Sequence, residues 1–257
     1  MVCSMVEFEQ HGRVAVLTIN RPEARNAING EVSAAMEAHY DRFEEDPDLW
    51  VAVIAGAGPV FCAGADLKAV STGQAAGLMT AKGGFAGLCA RERTKPLIAA
   101  VNGPAVAGGC EIVLACDLVV ASTEAKFGIP EVKRSLVAAG GGLFRLPRAI
   151  PRNLAMELAL TGDTISAERA YELGMVNALV DPGKAVEGAL DLAERICVNA
   201  PVAVRESRKV VAETILADDE TGWRLSNEAF MRVAQSEDFS EGPLAFIEKR
   251  APQWKGR

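Results

Sequence analysis

The segment from Leu97 to Cys116 constrains the fold of this 257-residue chain more than any other. Leu97 to Val101 (LIAAV) is an unbroken apolar run of strand length and reads as a buried strand. Asn102-Gly103-Pro104 interrupts it, and Gly109 to Cys116 reads as an apolar helix. A strand led through glycines into a helix aims free backbone N–H groups, backed by the helix dipole, at whatever lies above the junction. An oxygen carrying negative charge fits there, and Glu111 in the first helical turn stands beside it as a proton donor or acceptor. Glycines at such a turn commonly serve only tight packing, and an acid there commonly complements the dipole. The rest of the chain has to decide between these readings.

Val14 to Asn20 (VAVLTIN) is a second strand, stopped by Arg21-Pro22, and Asn29 to Phe43 has helical spacing with Asn29 as N-cap. Trp50 to Ala55 and Asp117 to Ala121 are further strands. Their alternation with helices predicts an α/β core with substantial parallel pairing. Beyond Gly140 the pattern turns helical, over Arg148 to Leu160, Ser166 to Leu173, Lys184 to Val198, Pro201 to Leu216 and Thr221 to Gln235, with one short strand at Met175 to Val180. The expected organisation is an α/β core over residues 1–195 and a helical region over 196–257. Ser71 to Arg93, rich in Gly, Ala and Lys, is expected to be the most mobile segment, a partly helical flap over a site.

A net charge of −7 argues against a general nucleic-acid or anionic-membrane surface, so an anionic ligand needs a local basic patch. The six cysteines (Cys3, Cys62, Cys89, Cys110, Cys116 and Cys197) form no CxxC pair, and neither His11 nor His39 lies near them in sequence. No metal site is expected. Most of these thiols sit in apolar runs, which suits reduced, buried cysteines of a cytoplasmic protein. No apolar run reaches the roughly 18 residues of a membrane span, and the N-terminus carries no signal-peptide pattern.

Val60 to Lys68 (VFCAGADLK) follows the Trp50 strand and again runs through a glycine turn into a short helix. Two such junctions in one sheet can present two N–H groups to a single oxygen, which is what an oxyanion hole requires. A dinucleotide site at Gly56-Ala57-Gly58 fails, because Phe61 replaces the third glycine of the fingerprint and no helix opens there. Glu131, in Phe127 to Lys133 (FGIPEVK), is a candidate partner for Glu111 in shared acid and base work.

These segments resemble the crotonase, or enoyl-CoA hydratase, superfamily. The matching stretches are Asn20-Arg21-Pro22 with Asn26-Ala27, FCAGADLK at Phe61 to Lys68, NGPAVAGGCEIVLACD at Asn102 to Asp117, and FGIPEVK at Phe127 to Lys133. LTGDTISAERAYELGMVN at Leu160 to Asn177 and EGPLAFIEKRAPQW at Glu241 to Trp254 extend the match in the family's order. The resemblance implies a spiral of repeated ββα units with a C-terminal helical trimerisation region, a homotrimer or hexamer, and an acyl-CoA thioester substrate. It implies oxyanion donors at the N–H groups of Ala65 and Gly108, and Glu111 and Glu131 holding the water that adds to a trans-2-enoyl-CoA. No cofactor is implied, coenzyme A being part of the substrate. Lys68 and Lys249 match positions near the CoA nucleotide, Lys249 toward a neighbouring subunit's ligand. Ala24 and Arg25 match the adenine-lining segment, with Ala63 and Asp66 beside CoA.

Two positions depart from the family's pattern. Glu23 stands where hydratases often carry a lysine, and Ala139 where a glycine N–H usually meets the catalytic water, so a positive φ there would strain the alanine. The rivals to hydration are a Δ3,Δ2-enoyl-CoA isomerase, which needs one base, and a non-catalytic acyl-CoA-binding or scaffold subunit.

Overall fold

The alternation in Val14–Ile19 sends Val14 and Val16 to one face of a sheet and Ala15, Leu17 and Ile19 to the other. The computed structural model describes residues 4–257. An antiparallel hairpin of β1 (Val6–His11) and β2 (Val14–Ile19) leads through α1 (Gly30–Glu45) to β3 (Val51–Gly56). There follow α2 (Leu67–Ser71), a two-residue hairpin of β4 (Met79–Thr80) and β5 (Gly84–Phe85), and β6 (Leu97–Val101). Next come β7 (Ala105–Val106), α3 (Gly108–Ala115), β8 (Leu118–Ser122) and β9 (Lys126–Gly128). The remainder is α4 (Gly142–Ala149), α5 (Arg152–Thr161), β10 (Ile165–Ser166), α6 (Ala167–Glu172), β11 (Ala178–Val180), α7 (Ala185–Cys197), α8 (Pro201–Thr214), α9 (Asp219–Ala234) and α10 (Asp238–Glu248).

The main sheet has the order β1-β2-β3-β6-β8-β11 and is parallel except for the first pair. Both faces are covered, which is why LIAAV carries no polar alternation. Val16, Val53, Ile98 and Val120 pack on one side against Ala185, Ala189 and Ala193, a stripe of small residues that lets α7 lie close to the sheet. Leu17, Ile54 and Ala99 face the other side, where α1 and α3 cover them. A second, three-stranded sheet, β10-β9-β7, stands apart from the first. This α/β architecture with a helical C-terminal region is the one expected.

Several boundaries differ from the expectation for physical reasons. The helix expected at Arg148 to Leu160 is two helices, because Pro151 lacks an N–H and forces Ile150 into extended backbone (φ −137°, ψ 162°). Ser71 to Arg93 is anchored: Glu37 on α1 accepts from Thr80 Oγ1 and the Gly83 N–H, Asp41 pairs with Lys82 and Arg91, and Leu78, Phe85 and Leu88 are buried. Cys62, Cys89 and Cys110 are buried free thiols, and Cys116 and Cys197 are half-buried and free, while Cys3 lies outside the described residues. No helix among the described residues is long and apolar enough to cross a membrane.

The NRP…NA segment is held by one buried amide. Asn26 adopts the left-handed conformation (φ 53°), which asparagine tolerates, and donates through Nδ2 to the carbonyls of Ala57 (2.9 Å) and Val60 (2.7 Å). Its Oδ1 accepts the Arg21 N–H at 2.9 Å. Asn26→Ala strands these buried groups and is expected to lower unfolding stability by about 2–3 kcal/mol, read by urea denaturation. A loss below about 0.5 kcal/mol removes Asn26 as the pin of this loop.

Candidate active site

The strand-to-helix junctions after β3 and β6 are packed backbone to backbone. Cys62 and Ala105 form a parallel bridge in which the Cys62 N–H reaches Pro104 O (3.3 Å) and the Val106 N–H reaches Cys62 O (3.1 Å). A Cβ on Gly109 would overlap the Cys62 carbonyl, and one on Gly64 would lie 2.8 Å from both Ala107 Cβ and the Gly108 nitrogen. Only glycine permits this approach. The Ile28 N–H bonds Gly64 O and the Asp66 N–H bonds Ile28 O, each at 2.8 Å, so the Ala65 N–H between them turns to the opposite side. Gly108 is the first residue of α3, whose opening N–H groups have no partner in the helix. Ala107 before it is held at φ 53°, ψ −130°, unusual for a residue with a Cβ, by its N–H bond to Gly128 O (2.9 Å).

Glu111 sits one turn into α3 and is buried, with 4% exposure. Its Oε1 accepts the Gly142 N–H at 2.9 Å, and the Gly140 N–H bonds the same carboxylate. A Cβ on Gly140 would stand 2.7 Å from Oε2, so this glycine turn is shaped around the acid. Burial raises the carboxyl above its ordinary range, opposed by the two amides and the Arg145 charge. Glu131 follows β9 in a single 3₁₀ turn, Pro130–Arg134, rather than in an irregular loop. Its Oε2 is buried with no hydrogen-bond partner among the described residues, and burial, reinforced by the charge of Glu111, pushes its pKa up to about 7.

Both carboxylates line one cavity of about 550 Å³, together with Ala65 and Gly108. Its apolar wall includes Val70, Leu78, Met79, Phe85 and Leu136, so the anchored Ser71 to Arg93 segment does flank the site. Two larger grooves, of about 820 and 1060 Å³, are lined in part by α8 and contain neither acid. At the wall of the site lie the cations Arg25, Lys133 and Arg134, with Lys133 paired to Asp163 at 2.9 Å.

Of the residues expected to contact CoA, Arg25 and Ala63 line the cavity, the Ala63 N–H being held by Arg25 O at 3.0 Å. Ala24, Asp66, Lys68 and Lys249 do not line it. The Asp66 carboxylate is committed elsewhere: it caps α2 at the N–H groups of Lys68 and Ala69 and pairs with Arg21 at 3.3 Å. Lys68 is exposed on the short helix α2, and Lys249 is the left-handed C-cap of α10. Ala139 lines the cavity without positive φ, so the strain expected there is absent. The seat of Glu111 at Gly140 and Gly142 leaves one signal in the sequence, the Gly140-Gly141-Gly142 run.

A sequence model of the family described as enoyl-CoA hydratase/isomerase matches residues 9–257. The chain is 42% identical over 255 residues to the enoyl-CoA hydratase EchA19 of Mycobacterium tuberculosis, covering 97% of this chain and 96% of that one. It is 41% identical over 258 residues to a carnitinyl-CoA dehydratase of Salmonella typhi, covering 98% of each. A crystal structure of an enoyl-CoA hydratase from Mycobacterium tuberculosis superposes with a TM-score of 0.95 at 47% identity, over 99% of this chain and 100% of that one. The chain therefore belongs to the enoyl-CoA hydratase/isomerase family, within the crotonase superfamily, and is an enzyme of that hydro-lyase group.

Proposed function

We propose that this enzyme adds water across the 2,3 double bond of a trans-2-enoyl-CoA to give a 3-hydroxyacyl-CoA. One observation carries the reading: the buried Glu111 and half-buried Glu131 carboxyls share one cavity with Ala65 and Gly108, whose backbone N–H groups have no partner among the described residues. The thioester oxygen is received by the N–H groups of Ala65 and Gly108, which stabilise the charge it gains as the α-carbon becomes enolate-like. Loss of one such donor typically costs about 10² to 10³ in rate. Ionised Glu111 takes a proton from water, the oxygen bonds to the β-carbon, and protonated Glu131 delivers a proton to the α-carbon. Water is added with no net electron transfer, so this chemistry calls for no redox group, and CoA serves as carrier. Arg25, Lys133 and Arg134 supply a local cationic mouth for its phosphates.

The same groups run backward as a dehydratase, which accommodates the relatives named carnitinyl-CoA dehydratase; the acyl group distinguishes the cases. Isomerisation needs a single base and leaves Glu111, with its dedicated glycine seat, without a task. A scaffold role leaves unexplained why a buried acid, Glu111, and a half-buried one, Glu131, line the same cavity. Exposed Phe144, Leu160, Trp223, Phe230, Phe246 and Ile247 on α4, α5, α9 and α10 call for cover, which a homotrimer or a dimer of trimers supplies.

Loss of the enoyl-thioester ultraviolet absorbance on mixing with crotonyl-CoA and longer enoyl-CoAs tests the reading. Hydration requires Glu131 protonated, so kcat is expected to fall as pH rises through about 7. Absence of hydration at every chain length and pH, with CoA esters still bound, overturns the assignment in favour of a scaffold.

A further inference from the structure

Arg145, the fourth residue of α4, lies outside the lining of the cavity, yet it ties together the parts that hold the acids. Its Nη1 donates to Gly140 O at 3.2 Å and its Nη2 to Cys89 O at 2.7 Å. Gly140 belongs to the turn whose N–H groups hold Glu111. Cys89 belongs to the segment carrying Phe85, whose ring packs so tightly on Gly108 that a Cβ there would overlap it. Gly141 between the two turn amides has φ 109°, and a Cβ on it would occupy the position of Arg145 Nη1. The left-handed backbone at Gly141 favours glycine on its own account, and the guanidinium lies in the space left beside it.

We infer that Arg145 is a positioning residue, clamping the Gly140–Gly142 turn to the Cys89 segment so that the Glu111 carboxylate is held in place for water activation. The inference rests on the preceding reading that Glu111 acts in hydration. A planar fork satisfies two carbonyls in fixed directions, which a lysine cannot reproduce. The groups facing Glu111 are Arg145 from α4, Glu131 from the turn after β9, Cys89 from the adjoining segment and Cys110 on its own helix. Burial pushes both thiols up, so they stay neutral. Glu131 is the only other ionising neighbour in this set, and its charge opposes that of Glu111. Burial, and then the charges of Arg93 and Arg148, disfavour the charge on Arg145, but a guanidinium remains protonated throughout the working range.

The test compares Arg145→Gln and Arg145→Lys with wild type, using crotonyl-CoA kinetics across pH and the carbon-13 titration of the Glu111 carboxyl in the resting enzyme, assigned by its loss in Glu111→Gln. Arg145→Gln is expected to lower kcat roughly 10- to 100-fold with KM within about threefold. The Glu111 titration and the acid limb of kcat should move upward by about half to one pH unit. Arg145→Lys should bring the titration back toward wild type while recovering kcat only in part. An unmoved titration in folded Arg145→Gln, or wild-type kcat in Arg145→Lys, overturns the inference. Should Arg145→Gln fail to fold, the kcat and titration of Arg145→Lys decide alone. A wild-type enzyme that hydrates no enoyl-CoA defeats the functional reading instead, and the Glu111 titration still reports on the clamp.

Discussion

Replacing Glu131 with glutamine is expected to lower kcat for crotonyl-CoA hydration about 10²- to 10⁴-fold, because the amide cannot give a proton to the α-carbon. Stability should move the other way. The folded-state pKa of about 7 lies above the ordinary 4.5, so the native state favours the protonated acid. That contribution is complete below the unfolded value and disappears as pH rises through about 7. A neutral, isosteric glutamine escapes the loss, so the melting temperature of Glu131→Gln should equal or exceed that of wild type at pH 8 and converge with it at low pH. Glu111→Gln should show a comparable kcat deficit with slightly lower stability, since its amide nitrogen would face an N–H donor in the Gly140 turn. The double variant should be little worse than either single one, as expected for groups acting as a unit. Retention of activity within tenfold in either single variant removes that acid from the mechanism.

Gly109→Ala is the second large expectation. The added methyl has nowhere to go except into the Cys62 carbonyl, so the two junctions must separate. Overpacking of this kind typically costs about 1–3 kcal/mol in stability. Activity should fall further, by about 10² to 10³, because spreading the junctions moves the Ala65 and Gly108 N–H groups apart. A thioester that cannot form an enolate should bind with nearly unchanged affinity, which separates a disturbed oxyanion hole from a collapsed pocket. Near-wild-type kcat in a folded Gly109→Ala protein means that the spacing of the junctions does not govern the reaction.

What the sequence disclosed and what it hid follow from the range of the interactions. The junctions at Phe61 to Ala65 and Val101 to Glu111 were legible because a strand, a glycine break and a helix start are all local signals. β7, β9 and β10 carry only two or three residues each, too few for a period to register, although together they form the sheet that positions Glu131. β1 escaped notice because VEFEQH is largely polar, as suits an edge strand. Asp66 stands directly before a helix, where a short polar side chain acts as a cap, and that local role is readable from the sequence alone. The composition of Ser71 to Arg93 suggests mobility, while the groups that tie the segment to α1, Glu37 and Asp41, lie about forty residues earlier and leave no local signal. The Gly140–Gly142 seat similarly depends on an acid thirty-one positions before Gly142.

The short parallel ladder between β7 and β9 fixes Ala105 opposite Phe127 and Val106 opposite Gly128. Beyond that register, the chain count alone sets how far each acid stands from the ladder: Glu111 is five residues past Val106, and Glu131 is three past Gly128. Chain length therefore acts as a ruler in this site. Exchanging an acid alters the chemistry while the frame stays intact, whereas inserting or deleting one residue in either short span would rotate its acid out of the cavity. Such a site should diversify through substitution and resist change by insertion, with length variation confined to the surface connections beyond it.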